Sequence, residues 1–157
     1  MTHRHKVLLL IPHLGGGGAE KVAENLARNL SQKKYELHLC LVADSNTGDK
    51  TLPDDVTVHR IGGHSKGLQA VRVKTRRGHV VLAADASHLY SHINEGRVFP
   101  VTYNVGDVLE GYRTITRLAD SPDHIVPGHD PLVAAIYPAA APGLEGLVVR
   151  LDVDPKR

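Results

Sequence analysis

Aromatic residues and cysteine are scarce in this chain of 157 residues, which has no tryptophan, one phenylalanine and one cysteine. Because aromatic side chains make up only 4% of the residues, the core must be built from Val, Leu, Ile and Ala. A single cysteine cannot form an internal disulfide, so we expect a reducing, cytoplasmic environment. The sequence also lacks the run of ~20 apolar residues that a membrane span requires, and we expect no membrane partner.

A strong net charge is missing as well. The chain carries 19 Lys and Arg against 17 Asp and Glu, a formal net charge of +2. Its one basic cluster ends at Gly78 and is typical of a solvated hairpin tip, whereas a nucleic-acid footprint is a broader stripe. We therefore predict no nucleic-acid partner. The members of this cluster are Arg72, Lys74, Arg76 and Arg77.

Histidine, by contrast, is abundant, with eleven residues in a chain of ordinary globular composition. Imidazole is the commonest metal ligand and titrates near neutral pH. A histidine-based site is therefore the first functional hypothesis that this sequence suggests.

The first third of the chain predicts a strand, a glycine loop, a helix and a second strand. Lys6–Pro12 and Tyr35–Ala43 are apolar runs, and Ala19–Ser31 has an apolar face at helical spacing. This order indicates a Rossmann-like βαβ unit. Glycines before a helix start favour anion binding, so we predict a phosphate-binding loop, with a ligand-free turn as the open alternative. The loop glycines are Gly15, Gly16, Gly17 and Gly18.

Residues 5–61 resemble the N-terminal segment of GT-B-fold glycosyltransferases of the retaining kind. The resemblance is carried by Gly-Gly-Ala-Glu at 17–20, the helix that follows, and Leu52-Pro-Asp-Asp-Val-Thr-Val-His-Arg-Ile61. It implies that the glycine loop lies near a sugar and phosphate groups. Nothing in the sequence corresponds to the second Rossmann-like domain of that family.

Three later segments each end a strand in a turn bounded by Gly or Ala that holds a candidate ligand. They carry His64, Asp85 and His129. Loops that follow strands can converge on one sheet edge, and imidazole with carboxylate suits zinc. The pattern predicts a metal site, while loops that merely tolerate His and Asp stay the alternative. For His88, His92 and His124 an ordinary structural role is the favoured interpretation, and orienting the ligands through hydrogen bonds is the alternative.

Residues 61–152 resemble the C-terminal half of a metallo-β-lactamase-fold hydrolase of the N-acyl-homoserine lactonase type. The carriers are Gly-Gly-His64-Ser-Lys-Gly, Leu-Ala-Ala-Asp85-Ala-Ser-His-Leu-Tyr90 and Val-Pro-Gly-His129-Asp-Pro. The resemblance implies two zinc ions, with His64 on one, His129 on the other and Asp85 bridging both. It also implies catalytic roles for Asp85 and for the phenol of Tyr90, and a lactone or related ester as substrate.

One part of the hydrolase pattern is missing from the sequence. The family's principal ligands lie in an H-x-H-x-D-H motif, and here His3-x-His5 has only its first spacing. Residues 1–61 stand where the family carries its N-terminal half. The three matched residues would then give each metal about two protein ligands, fewer than the three that are usual in catalytic zinc sites.

The sequence thus predicts an α/β chain of two segments. Residues 1–61 form the glycosyltransferase-like βαβ unit, and residues 62–157 form half of an αββα metallo-β-lactamase fold. We expect a metal-dependent, lactonase-like hydrolase with an incomplete metal site. A sugar-phosphate-binding fragment and an inactive recombined product are the alternatives. Half of a fold leaves an apolar face open, which favours homo-oligomers.

The pattern in residues 62–157 also predicts individual elements. Alternation predicts a hairpin from Leu68–Thr75 and His79–Ala84. Helical spacing predicts a helix over Asp107–Ala119 that is capped by Asp107. A last strand is predicted at Gly146–Asp152.

Overall fold

The computed structural model describes residues 5–11, 18–29, 34–41 and 54–156. The chain divides into two compact units, Met1–Leu52 and Pro53–Arg157. The predicted loop residues Gly15, Gly16 and Gly17 lie outside the described residues, and Gly18 is the first residue of a helix.

The first unit holds two strands and one helix. Strand β1 (His5–Ile11) pairs in parallel with β2 (Tyr35–Leu41), and helix α1 (Gly18–Asn29) lies between them in sequence. Parallel neighbours need such a crossover connection. This is the predicted order of elements, while the glycosyltransferase resemblance stays a prediction. Val22 and Leu26, which helical spacing placed on the apolar face, are exposed.

The second unit is built on a four-stranded sheet in the order β3-β4-β5-β6, so it is mixed α/β as predicted. Strands β3 and β4 and strands β4 and β5 are antiparallel, whereas β5 and β6 are parallel. Strands β3, β5 and β6 therefore run in one direction, and their carboxyl ends lie at the same edge. The strands are β3 (Val56–Arg60), β4 (Gln69–Thr75), β5 (Gly78–Ala84) and β6 (Ile125–Pro127).

The boundary between the two units lies before β3. The sequence predicted a boundary after this strand, at residue 61. Strand β3 pairs with β4 over five residues, from Val56 opposite Val73 to Arg60 opposite Gln69. Backbone pairing across the predicted boundary thus places Val56–Arg60 in the second unit.

Helix α3 supplies much of the core beneath the sheet. Its cap is Asn104, whose side chain accepts from the Asp107 N–H at 3.0 Å, so Asp107 lies in the first turn and is not the predicted cap. Ile115 of α3 is fully buried against Val81 and Ile125. The helices of this unit are α2 (Tyr90–Glu95), α3 (Val105–Leu118), a 3-10 turn (Pro122–His124) and α4 (Leu132–Ile136).

The C-terminal segment is held by a buried arginine and not by the predicted strand. In place of a strand at Gly146–Asp152, a single bridge joins Ala139 and Val149. The Arg77 side chain, expected at a solvated tip, is only 5% exposed. Its guanidinium donates to the Leu151 carbonyl at 3.1 Å and to the Tyr137 hydroxyl at 2.9 Å. These acceptors satisfy the buried charge and explain its burial.

None of the helices in the described ranges is both long and apolar enough to cross a membrane.

Candidate metal centre

Three strand ends carry the predicted ligands to one edge of the sheet. His64 follows β3, Asp85 follows β5, and His129 follows β6. Because these three strands run in one direction, the turns that follow them meet at the same edge. The structure therefore brings together the three residues that the sequence pattern had singled out.

The turns after β5 and β6 are packed backbone to backbone. Ala84 has a φ of +48°, in the left-handed region that residues with a Cβ seldom adopt, and it turns the chain immediately before Asp85. A Cβ on Gly128 would lie 2.6 Å from the Ala84 carbonyl oxygen, so only glycine fits there. The Gly128 N–H donates to the Ser87 carbonyl at 2.9 Å. The His129 N–H donates to the His88 carbonyl at 3.0 Å, which fixes the two turns together.

The loop that carries His64 is anchored on helix α3. Gly63 has a φ of +87°, and a Cβ on it would lie 2.8 Å from the backbone nitrogen of Val108. The Gly63 carbonyl accepts from the Tyr103 N–H at 2.9 Å and from the Asn104 N–H at 3.0 Å. The close approach needs glycine at this position, and it fixes the direction in which the next residue, His64, leaves the loop.

The His64 ring is held in one tautomer. Its Nδ1 lies 2.7 Å from the Val101 carbonyl oxygen, which can only accept, so Nδ1 carries the hydrogen. In the neutral ring Nε2 then has a free lone pair, and it lies 3.9 Å from Asp85 Oδ2. A histidine that donates one ring N–H to a carbonyl and turns the other nitrogen to a carboxylate has the orientation of a metal ligand.

The other carboxylate oxygen of Asp85 faces two histidines. His129 Nε2 donates to Oδ1 at 2.6 Å, and His88 Nε2 lies 3.9 Å from the same oxygen. One ligand atom from each of Asp85, His88 and His129 lies within 4.8 Å of the other two. Two ligands of a tetrahedral zinc with bonds of about 2.1 Å are about 3.4 Å apart, so small side-chain rotations would close the site on an ion.

His88 supplies the observation that tests whether a metal fits. Its Nε2 is buried and has no hydrogen-bond partner, a situation that costs ~1–3 kcal/mol unless something satisfies the atom. Burial and the neighbouring His129 lower the pKa of His88, which favours the neutral ring that a cation requires. The donor set of two imidazoles and a carboxylate suits zinc. The residues present therefore fit a divalent metal.

Phe99 fixes the plane of the His88 ring. The two rings are stacked with centroids 3.9 Å apart and planes 25° from parallel. His92 stacks on Phe99 as well, with centroids 5.4 Å apart. Phe99 is only 3% exposed, so the one phenylalanine of the chain is used to hold these two histidines in place.

Tyr90, for which the hydrolase resemblance implies a catalytic phenol, is the first residue of α2. Its hydroxyl is buried. Burial raises the pKa of Tyr90, and Tyr137 and Asp130 raise it further. The groups that act most on this hydroxyl thus include none of the histidines around Asp85. Its catalytic role stays a prediction.

His88, for which the sequence offered at most an orienting role, contributes a nitrogen to the cluster itself. Its spacing from Asp85, three residues within one turn, is a signal that could have identified it. The alternative of an orienting role does not fit His124, because its ring lies close to Gly78, at the start of β5, whereas Asp85 follows the end of that strand.

Comparison with solved structures finds lactonases and metal-dependent hydrolases. An N-acyl homoserine lactone hydrolase, with its product N-hexanoyl-L-homoserine at the catalytic metal centre, is 18% identical with a TM-score of 0.45, and the match covers 81% of this chain and 48% of that one. A dizinc quorum-quenching lactonase, AidC, is 14% identical with a TM-score of 0.43, over 73% of this chain and 35% of that one. A probable metal-dependent hydrolase from Staphylococcus aureus is 14% identical with a TM-score of 0.46, over 67% and 34%.

The chain spans about half the length of the first of these proteins and about a third of the other two. At these TM-scores the likeness assigns no reaction, metal or substrate to this chain. Neither a protein-family model nor a curated protein matches it.

Proposed function

We propose that this protein is a metal-dependent hydrolase of lactonase-like type that opens a lactone or a related ester, with zinc as its metal. One observation carries the proposal. Histidine nitrogens face both oxygens of the single carboxylate of Asp85, and the Val101 carbonyl holds His64 in the tautomer that a ligand needs.

The residues around Asp85 have distinct parts in this proposal. Asp85 would hold a metal ion on each side, with His129 on one side and His64 on the other, as the resemblance of residues 61–152 implies. A divalent zinc supplies Lewis-acid polarisation of a carbonyl group. The His64 side chain is 24% exposed and that of His129 is 62% exposed, so the site is more open to a substrate on the His129 side.

N-acyl homoserine lactones are the substrates to assay first, because the resemblance of residues 61–152 points to them. Val101, whose carbonyl orients His64, has an exposed apolar side chain that is available to the acyl group of such a lactone.

Hydrolysis of N-hexanoyl homoserine lactone tests the proposal. The full chain is stripped with a chelator, and product formation is followed by mass spectrometry before and after one and two equivalents of zinc are added. We expect hydrolysis only with zinc, and a loss of about 100-fold or more in Asp85→Asn. His79→Gln is the matched control, because His79 also pairs with an aspartate, Asp120 at 3.2 Å, but at the start of β5. Zinc-independent hydrolysis, or equal rates in wild type and Asp85→Asn, would contradict the proposal.

The remaining expectations stay predictions. A sugar-phosphate-binding role for residues 5–61 depends on glycines of which only Gly18 is described. Location in the cytoplasm and self-association likewise rest on the sequence. The alternative of an inactive recombined product is decided by the same assay, since such a product would show no zinc-dependent hydrolysis.

A further inference from the structure

The two oxygens of the Asp85 carboxylate have unequal surroundings. Oδ1 lies 2.6 Å from His129 Nε2 and 3.9 Å from His88 Nε2. Oδ2 lies 3.9 Å from a single nitrogen, His64 Nε2. A carboxylate that bridged two equivalent metal ions would have similar ligand sets on its two sides. This difference therefore bears on how many ions the centre holds.

We propose that the centre binds one ion tightly, on the Oδ1 side, with Asp85, His88 and His129 as its three protein ligands. The inference rests on the proposed function and deepens it, because it adds His88 to the ligand set and makes the tight site mononuclear. Three protein ligands and one open position are the composition of catalytic zinc sites. The His129 side chain is 62% exposed, so a substrate has access to this side of the cluster.

The placement of His88 supports its role as a ligand. Its Nε2 is buried without a hydrogen-bond partner, and the stacked Phe99 ring holds the plane of the imidazole. Asp85 and His88 belong to one turn, in which the Ser87 N–H donates to the Ala84 carbonyl at 3.4 Å. The His88 carbonyl accepts from the His129 N–H at 3.0 Å, so the backbone joins two of the three ligands. Because these backbone hydrogen bonds already hold the ligand-bearing turns in place, little conformational entropy is lost when an ion binds.

The Oδ2 side offers fewer donors. Within the described ranges of the chain, His64 is the one histidine that faces this oxygen, so a second ion there has two protein ligands. The H-x-H-x-D-H motif, which would add donors, is missing from the whole sequence. Fewer ligands mean weaker binding, and the second equivalent of zinc should bind far more weakly than the first.

Zinc titration of the full chain tests this inference. The stripped protein competes with a chromophoric chelator for zinc, and we compare wild type, His88→Gln, His64→Gln and the control His59→Gln. We expect one tight equivalent in wild type, in His64→Gln and in His59→Gln, whose side chain contacts only Thr57 among the hydrogen bonds of the described residues. His88→Gln should bind zinc about 10–100-fold more weakly.

A cobalt spectrum keeps the test decisive if His88→Gln folds poorly. His88→Cys retains a donor at this position, and cobalt bound to it should show a thiolate charge-transfer band that cobalt-loaded wild type, with its own Cys40, lacks. Wild-type zinc affinity in His88→Gln, or two equivalents of equal affinity in wild type, would overturn this inference and leave the proposed function standing. No zinc binding by wild type would overturn both.

Discussion

Gly128 packs directly on the backbone of Ala84, so closely that a Cβ at position 128 would lie 2.6 Å from the Ala84 carbonyl oxygen. Ala84 precedes Asp85 and Gly128 precedes His129. This contact between two backbones therefore sets the distance between two of the proposed ligands. The other contacts of these turns, from Gly128 to Ser87 and from His129 to His88, depend on the same approach.

Gly128→Ala should force the two turns apart. We expect a loss of about 1–3 kcal/mol in the free energy of unfolding, the usual cost of overpacking, together with weaker zinc binding. Urea denaturation and zinc titration measure the two effects. Gly67→Ala is the matched control, because a Cβ at Gly67 meets nothing within 4 Å and its loop precedes β4. Unchanged zinc affinity in Gly128→Ala would show that this packing does not position the ligands.

Phe99→Leu tests whether the Phe99 ring orients His88 for zinc binding in addition to stabilising the fold. Removing the aromatic ring costs about 1–2 kcal/mol of stability and frees the His88 ring to turn, so zinc affinity should fall by about tenfold. Tyr112→Phe is the control, since Tyr112 belongs to the same apolar cluster as Phe99 and loses only its hydrogen bond to the Arg97 carbonyl. That variant should lose about 1 kcal/mol with no change in zinc affinity. Equal zinc affinities in both variants would argue against a role for the stack.

Two adjacent arginines should differ sharply in their effect on stability. Arg77→Gln removes donors from the Leu151 carbonyl and the Tyr137 hydroxyl inside the fold, and we expect a loss of about 2–4 kcal/mol. Arg76→Gln changes a side chain that is 83% exposed and pairs with Asp152 at 3.4 Å, so the loss should stay below about 0.5 kcal/mol. Urea denaturation at neutral pH compares them. Similar losses in the two variants would contradict the buried role of Arg77.

The C-terminal segment should contribute stability that disappears in acid. Hydrogen bonds from Arg150 and, to a smaller extent, from Arg76 lower the pKa of Asp152 to about 2. Because the folded pKa lies below the unfolded value of about 3.9, the stabilisation is full above that value and is lost as the pH falls through about 2. Asp152 is 38% exposed, so the contribution is only about 0.5 kcal/mol.

An NMR titration of the Asp152 carboxyl measures this effect directly. We expect its pKa to move from about 2 toward about 3.9 in Arg150→Gln. A pKa that is already ordinary in wild type, or that does not move in the variant, would show that the Arg150 contact is absent in solution.

Local patterns were sufficient to predict the elements that position the site. Alternation placed the β4–β5 hairpin, and glycine-bounded turns after strands singled out His64, Asp85 and His129. These features depend on a few neighbouring residues, and the structure places all three side chains at one sheet edge.

Features that depend on distant contacts could not be predicted in this way. His88 joins the cluster because Phe99, eleven residues further on, stacks on its ring. Arg77 is buried because it bonds Leu151, which is 74 residues away in the sequence. The division of the chain before β3 follows from pairing with β4, and the strand predicted at Gly146–Asp152 does not form because only Ala139 bridges to it. None of these partners is visible in a local pattern.

The imidazole nitrogens of His88 and His129 give the most direct test of the proposal that these two residues and Asp85 bind one zinc ion. A long-range proton–nitrogen NMR spectrum of the full chain, recorded during a zinc titration, resolves Nδ1 and Nε2 of each histidine. One equivalent of zinc should shift Nε2 of His88 and of His129, while the nitrogens of His59 and His79 keep their positions. If zinc binds and the His88 signals do not move, or if no histidine near Asp85 responds to zinc, the account of this centre is wrong.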